Sequence, residues 1–278
     1  SLSEWSQIFR FDIGENKFPV IDATVYNEDL IQDGLVAFGG FAPGLGSAVI
    51  DKYGNEIWNT GGDIEEDGSI GFILNHVNEF GNIYGLSAYD YPNNTGTKIN
   101  YDLDFLWSAP TPEIPVDIHE IKQIPNGNYM AFVPDYTQLG PIPEGSWAFL
   151  FRAIGYQADG ITTEFPYIGM RIVEWDEDGN EIWNWNPFEH FSMEDHDIYE
   201  GTWWNAAFDG FYDWMHSNAF HFDEEESVIY VSHRHLSRIS KIAYPSGDVI
   251  WNMGLPEEYN TGSDNICTDL LFSFQHHI

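Results

Sequence analysis

Short runs of alternating hydrophobic and polar positions, separated by turn residues, recur along this chain. One pattern consists of an apolar strand, a polar turn and a second strand that ends in Trp. It reads AVIDKYGNEIWNT at Ala48–Thr60 and recurs at Arg171–Asn186 and Ser240–Gly254, with a weaker copy at Ile99–Trp107 that lacks the Gly. Alternation with period two on both sides of such a turn predicts a β-hairpin.

A second hairpin pattern lies between copies of the first. It occurs at Phe72–Tyr89, His119–Val133 and His216–Ser232. Two hairpins in series form four antiparallel strands, which make up one blade of a β-propeller. We therefore predict an all-β fold, a β-propeller of four-stranded antiparallel blades.

One large residue closes each copy of the first pattern, and the four are Trp58, Trp107, Trp183 and Trp251. We expect each of them to pack between neighbouring blades. The later spacings between these Trp exceed the roughly 40 to 50 residues of a bare blade, which predicts insertions at Pro134–Phe165 and Asn186–Asp213. Neither insertion shows a helical period, and long insertions on a rigid scaffold are commonly lids or pocket walls.

The predicted blades also set the domain boundaries. Residues 1–28 are expected to form an N-terminal extension, and residues 29–278 the propeller domain. About four blades are visible, and FSFQHHI at the end of the chain is typical of the first strand of another. A propeller that ends in mid-blade exposes an unpaired sheet edge, so we expect further polypeptide to complete the ring.

The composition excludes several classes of partner. Asp and Glu number 45 against 10 Lys and Arg in 278 residues, a formal net charge of −35. Nucleic acids and anionic membrane surfaces both require a basic face, so we predict no nucleic acid partner. No run of about 18 apolar residues is present, so we predict no membrane insertion. A single cysteine, Cys267, cannot form an internal disulfide.

Acidic turns raise the question of calcium. The sequences at Asp63–Gly71 and Asp176–Glu181 are loosely similar to calcium loops, but neither has the EF-hand spacing with its closing Glu. We expect no cofactor, with a structural calcium ion kept as an alternative.

Imidazole and cationic side chains are concentrated between Asp213 and Ile239, a stretch that contains His216, His221, His233, His235, Arg234 and Arg238. Residues of the first strand of each blade line the central channel of a propeller, and His119, His216 and His276 each open such a strand. Arg234 lies on the strand that follows His216, near the same end. These four side chains are therefore predicted to converge on one anion-sized spot.

The neighbours of Arg234 are interpreted differently. Period-two alternation puts His233 and His235 on the strand face opposite Arg234. The side chains that we interpret as structural are therefore His221, His233, His235 and Arg238.

The same stretch resembles the core signature of the bacterial arylsulfate sulfotransferases. That signature is a His-x-Asn on one strand, a Ser-x-Arg-His-Leu-Ser run on the next and a Gly-x-x-x-Trp hairpin, followed later by Gln-His after aromatic residues. Here these elements are His216–Asn218, Ser232–Ser237, Gly247–Trp251 and Gln275–His276. The sequence DIHEIKQIPNGNYM resembles the family's blade that carries another active-site His, which falls on His119.

The resemblance implies a six-bladed propeller, periplasmic or secreted, that transfers a sulfuryl group from an aryl sulfate to a phenol without a nucleotide sulfate. It implies that His276 becomes transiently sulfated and that His119, His216 and Arg234 hold the sulfuryl oxygens. It also implies that Asn218 helps to bind the substrate. The last blades of the family's propeller are not visible in this sequence, which bears on the completeness of the site.

Elementary chemistry agrees with that implication. Sulfuryl transfer, like phosphoryl transfer, spreads negative charge over equatorial oxygens, and an Arg guanidinium binds an oxyanion through two parallel hydrogen bonds. A neutral imidazole is a competent nucleophile. Phenolic donors and acceptors favour aromatic walls. The candidates for these walls are Trp203, Trp204, Phe208, Phe211, Tyr212 and Trp214.

Two alternatives stay open. A His cluster can bind zinc, but Arg234 at its centre would repel a cation, and we predict no metal. The chain could also be a non-catalytic propeller that holds a sulfated or other anionic ligand, because a fold does not determine a function.

Overall fold

The computed structural model describes residues 27–40, 46–60, 71–87, 95–110, 116–197, 199, 201–255, 264–267 and 272–278. Most of the predicted extension over residues 1–28 lies outside these ranges, as does nearly all of the acidic loop at Asp63–Gly71. A short 3-10 helix, Glu28–Leu30, precedes the first sheet. Within the described part of the chain, no helix is long and apolar enough to cross a membrane.

The first two sheets are antiparallel and their strands pair in chain order. The first sheet contains β1 (Leu35–Gly40), β2 (Gly46–Asp51) and β3 (Glu56–Asn59). The second contains β4 (Phe72–Val77), β5 (Ile83–Ser87), β6 (Thr95–Ile99) and β7 (Phe105–Ser108).

The third and fourth sheets carry the candidate site. The third contains β8 (Ile121–Gln123), β9 (Tyr129–Pro141), β10 (Thr163–Trp175) and β11 (Glu181–Trp185), with β12 (Tyr212–Asp213) parallel to β10. The fourth contains β13 (Ser217–Asp223), β14 (Val228–His233), β15 (Arg238–Ala243), β16 (Val249–Gly254) and β17 (Asp264–Ile266). These four sheets are arranged as a four-blade β-propeller, which confirms the predicted fold class.

The four recurrent Trp occupy equivalent positions. Each faces a residue of the preceding strand, in the pairs Val49–Trp58, Lys98–Trp107, Glu174–Trp183 and Lys241–Trp251. In every sheet the register shifts directly after that pair. The repeated hairpin of the sequence is therefore a repeated structural unit, including its bulge.

Contacts between sheets follow the same repeat. The indole N–H of Trp58 donates to the carbonyl of Tyr101 in the second sheet at 2.7 Å, and that of Trp183 donates to the carbonyl of Pro245 in the fourth sheet at 2.7 Å. Trp107 stacks on Tyr129 of the third sheet with ring centroids 3.7 Å apart. Three of the four Trp thus link one sheet to the next, as predicted.

The two insertions contain helices that the sequence reading did not expect. In Pro134–Phe165, β9 and β10 extend past the blade and are connected through helix α1 (Ala148–Ala153). In Asn186–Asp213, a 3-10 turn is followed by helix α2 (Gly201–Asp209). The sequence shows no clear helical period in these insertions because α1 and α2 have only six and nine residues, too few turns for one.

Tertiary packing holds both helices in place. Trp203 of α2 stacks on Tyr212 with ring centroids 3.7 Å apart, and Trp147, beside α1, lies parallel to Trp203 at 6.4 Å. All three rings are buried in a core shared by the third sheet, the fourth sheet and the insertions. Full burial of one such side chain contributes about 1.5–3 kcal/mol, more than short helices gain from their own hydrogen bonds.

Candidate active site

Three imidazoles from distant parts of the chain meet beside the starts of β8 and β13. The ring centroids of His119 and His216 are 4.9 Å apart, and those of His119 and His276 are 5.1 Å apart. The rings of His216 and His276 are 6.3 Å apart. The structure thus brings together three of the four predicted catalytic side chains.

His276 is held in place through its neighbour Gln275. The Gln275 amide donates to the backbone carbonyls of His233 and Arg238 at 3.2 and 2.9 Å. Asn218 donates from its side chain to the Gln275 carbonyl at 2.9 Å. Asn218, which was predicted to bind substrate, is therefore buried as an anchor of the segment that carries His276.

The segment Phe272–Ile278 does not form the predicted first strand of another blade. Phe274 has φ +51°, in the left-handed region, and its backbone N–H donates to the Ser237 hydroxyl at 3.2 Å. That prediction was wrong because side chains of the fourth sheet, rather than a strand ladder, satisfy this backbone. The contacts of Gln275, and not strand alternation, therefore fix the position of His276.

Arg234 and His235 lie in the tight turn between β14 and β15. The prediction that both belong to a strand and face opposite ways was wrong, since alternation does not hold in a turn. Arg234 Nη1 lies 2.8 Å from His235 Nε2, and the His235 and His216 rings are 4.7 Å apart. Arg234 thus joins the three imidazoles, as predicted, and His235 joins them too.

His235 holds the guanidinium without neutralising it. His235 Nδ1 lies 2.6 Å from the backbone carbonyl of Asp213 and donates to it, so Nε2 is left to accept from Arg234. Burial lowers the pKa of His235, which keeps the ring neutral near pH 7. No carboxylate of the described residues lies within ion-pair distance of Arg234.

Two of the clustered imidazoles are held by carboxylates. Nδ1 of His119 lies 2.5 Å from Asp117 Oδ1, and Nδ1 of His216 forms a short hydrogen bond with Asp213 Oδ2. Burial by itself would raise the pKa of Asp213, but the hydrogen bond from His216 and the charges of nearby imidazoles lower it. Sequence reasoning missed both Asp, although an Asp two or three residues before each His was the available signal.

His276 has a different electrostatic environment. Partial burial lowers its pKa, and the positive charges of His119, His216 and Arg234 lower it further. Among the described residues, no carboxylate forms an ion pair with His276 to oppose that effect. The ring is therefore neutral at physiological pH, with its lone pair available.

His216, Arg234 and His235 line a cavity of about 390 Å³, whereas His119 and His276 lie beside these residues and are not part of the lining. Phe211 and Phe274 contribute aromatic faces, and helix α2 forms one wall through Thr202, Asn205, Ala206 and Asp209. The insertion Asn186–Asp213 is thus a pocket wall, as predicted. The other insertion contributes no described residue to this lining.

The three Trp that were predicted as pocket walls lie elsewhere. Trp203 and Trp214 are fully buried in the core, and Trp214 donates to the Asp195 carbonyl at 2.6 Å. Trp204 is 39% exposed and meets Phe149 edge to face at 6.2 Å. None of the three lines the cavity. For Trp203 and Trp204 the reason is the helical period of α2, which turns positions 202, 205, 206 and 209 towards the cavity. Trp214 follows β12 and packs into the core.

His233 and Arg238 are structural, in agreement with the sequence interpretation. The two ring nitrogens of His233 lie 2.8 and 3.0 Å from the hydroxyls of Ser217 and Ser240. Arg238 forms a buried ion pair with Asp195, with Nη1 2.5 Å from Oδ2. Burial and the charge of Arg238 lower the pKa of His233 to about 3.

Two groups at this site have donor atoms close enough to hold a metal ion. The first comprises His119, His216 and His276, and the second comprises Asp213, His216 and His235. The Arg234 guanidinium, fixed against His235, would repel a cation beside either group. The same charge attracts an oxyanion, so we interpret the cluster as an anion site.

The chain belongs to the arylsulfotransferase (ASST) family, whose sequence pattern matches residues 47–273. His119, His216 and Arg234 lie within the match, and His276 lies just beyond its end. The printed name of that family denotes aryl sulfotransfer, and the fold and the site are those of a β-propeller member of it. No curated protein matches the sequence significantly.

Solved structures show only distant similarity. A protein of unknown function from Bacteroides caccae is 12% identical, with a TM-score of 0.41 over 80% of this chain and 58% of that one. Kuenenia stuttgartiensis hydrazine synthase is 10% identical with a TM-score of 0.38 over 71% and 46%. A streptogramin B lyase is 11% identical with a TM-score of 0.38 over 80% and 59%. The chain thus spans about half the length of these proteins.

Proposed function

We propose that this protein transfers a sulfuryl group from an aryl sulfate to a phenol through a sulfated His276. The observation that carries the proposal is the charge of Arg234 beside three imidazoles, with no ion-pair partner among the described residues. Acidic residues outnumber basic ones by 45 to 10 in this chain, yet no described carboxylate pairs with this guanidinium. A guanidinium that no described carboxylate pairs with is suited to bind an external anion.

The first half-reaction starts with the sulfate group bound by Arg234, His119 and His216. A ring nitrogen of neutral His276 attacks sulfur, and the bond between sulfur and the aryl oxygen breaks. The phenolate leaves with that electron pair and takes a proton from the imidazolium of His119 or His216. The sulfuryl group stays on His276, and its oxygens keep the guanidinium as counter-charge.

The second half-reaction reverses these roles. An acceptor phenol enters the cavity, and the imidazole that lost its proton takes the proton of the phenol hydroxyl. The phenol oxygen attacks sulfur, and the bond between sulfur and the His276 nitrogen breaks. Proton and sulfuryl group are both conserved over the cycle, so the reaction needs no cofactor. Phe211 and Phe274 supply the aromatic faces that Trp203, Trp204 and Trp214 do not.

A burst experiment tests the proposal. Incubation with a chromogenic aryl sulfate and no acceptor should release one equivalent of phenol and leave a sulfuryl mass on the peptide Phe274–Ile278. His276→Ala should abolish the burst and the adduct, whereas His277→Ala should retain both. An adduct on His119 or His216 would contradict the assignment of the nucleophile.

The same experiment separates an enzyme from a binding protein. If the protein binds an aryl sulfate but releases no phenol with or without an acceptor, the non-catalytic alternative is correct. Binding measured by calorimetry, with Arg234→Met as the matched loss-of-charge variant, then reports the anion site alone.

A further inference from the structure

We propose that Asp213 is the positioning residue of the cationic half of this site, with Asp117 as its counterpart at His119. The carboxylate of Asp213 holds Nδ1 of His216 and thereby directs the free nitrogen of that ring into the cavity. The catalytic part of this inference rests on the proposed sulfuryl transfer, whereas the positioning rests on geometry alone.

Asp213 is connected by hydrogen bonds to three groups of the site, two of them directly and the third through His235. The Asp213 side chain accepts from His216 Nδ1, and its backbone carbonyl accepts from His235 Nδ1 at 2.6 Å. His235 in turn accepts from Arg234 at 2.8 Å. A shift of Asp213 would therefore move His216 and the Arg234 guanidinium together, and the sulfate-binding groups would lose their mutual geometry.

The fold holds Asp213 rigidly. It is the second residue of β12, which pairs in parallel with β10 through Tyr167–Tyr212 and Ile168–Asp213. The Tyr212 ring next to it is fully buried against Trp203. Asp213 itself lines the cavity, with a side chain that is 30% exposed. Packing in the core therefore fixes the position of Asp213, and its side chain faces the cavity.

The chemical effect follows from the two nitrogens of an imidazole. A carboxylate on Nδ1 fixes the proton there, sets the ring orientation and stabilises the charged form. His119 and His216 each have such a partner, Asp117 and Asp213, and are thereby suited to bind oxygens and to donate a proton. His276 has none among the described residues and is suited to attack.

The test compares Asp213→Asn with Asp223→Asn. Asp223 lies at the far end of β13, accepts a hydrogen bond from the Glu226 backbone and contacts no imidazole of the cluster. Asn at position 213 keeps the size but removes the charge. We expect kcat to fall at least tenfold in Asp213→Asn, with a smaller change in KM, and to change less than twofold in Asp223→Asn.

A second readout does not depend on activity. In the wild type, NMR of ¹⁵N-labelled histidines should show the proton of His216 on Nδ1, and Asp213→Asn should weaken this tautomer preference. The groups that face His216 are Asp213, His119, His235, His276 and Arg234. The same comparison for His119 uses Asp117→Asn, which keeps the test available if Asp213→Asn does not fold.

The outcomes distinguish the two proposals. An unchanged His216 tautomer preference and an unchanged kcat in folded Asp213→Asn would overturn the positioning role. A loss of kcat that Asp213→Glu does not partly restore, with an unchanged tautomer preference, would also overturn it and leave a structural role. Absence of turnover in the wild type would refute the proposed function, while a changed tautomer preference in Asp213→Asn would still support the positioning.

Discussion

Two regions beside the turn between β14 and β15 each contain one Arg and one His, but the two pairs have different hydrogen-bond and ion-pair partners. On the cavity side, Arg234 and His235 form a hydrogen-bonded pair whose guanidinium lacks a carboxylate partner among the described residues. On the core side, Arg238 and His233 are fully buried, and the guanidinium is paired with Asp195. The two regions are separated by a few residues of sequence.

Partners rather than residue types decide these roles. Arg238 uses Nη1 and Nη2 on Asp195 and Nε on the Leu255 carbonyl, so its donors are satisfied within the protein. The neutral His235 leaves the charge of Arg234 uncompensated. In a chain of charge −35, the feature that defines the site is a guanidinium beside three imidazoles that pairs with no carboxylate of the described residues.

The largest effect is expected on the core side. Arg238→Met leaves Asp195 as a buried, unpaired carboxylate, which costs about 3–5 kcal/mol of unfolding free energy. Because Asp195 also accepts from Trp214 through its carbonyl, the wall formed by α2 should loosen as well. Urea unfolding followed by Trp fluorescence measures the loss.

The double variant Arg238→Met with Asp195→Leu serves as the control. Removing both charges should restore much of the lost stability, because well-packed apolar groups replace a buried ion pair at little cost. If the single variant unfolds at the wild-type urea concentration, the ion pair does not stabilise the core.

A smaller effect, confined to function, is expected on the cavity side. Arg234→Lys keeps the charge but loses the planar fork, and loss of a charged bidentate contact costs about 1.5–3 kcal/mol, roughly 10- to 150-fold in turnover. The unfolding free energy should stay within about 0.5 kcal/mol of the wild type, since the side chain is not in the core. Normal turnover in a folded Lys variant would remove Arg234 from the site.

Repetition made much of the fold predictable. The Trp-ending hairpins gave the strands and the equivalent positions of Trp58 and Trp183, because a repeated local pattern has a repeated local structure. Repeat position also placed His119 and His216 together. These inferences needed only alternation and turn chemistry, which are local properties of the chain.

Predictions failed where the backbone leaves the repeat. His235 was assigned to a strand face but lies in a turn, and His276 was assigned to a strand but lies in an irregular segment fixed by Gln275. Trp203 was assigned to the cavity, but the short helix α2 turns it into the core. Tertiary hydrogen bonds and packing decide such positions, and neither is a periodic property of the sequence.

The smallest expected effect concerns His233, on the core side of the turn, and the pH dependence of the unfolding free energy. Burial and the charge of Arg238 lower the pKa of His233 to about 3, whereas an unfolded His titrates near 6.5. Between these values the unfolded state binds a proton that the folded state does not, so the unfolding free energy falls as pH falls, by about 1.4 kcal/mol per pH unit. Above pH 6.5 His233 contributes no slope.

His233→Gln should therefore reduce the pH dependence of urea unfolding between about pH 4.5 and 6 by one proton, whatever its effect on stability at neutral pH. Other buried imidazoles add slope of the same sign in both proteins, so the difference between the two curves isolates His233. Parallel curves would mean that His233 is protonated in the folded state, and the core side of the turn would then carry a charge that its two serine hydroxyls do not balance.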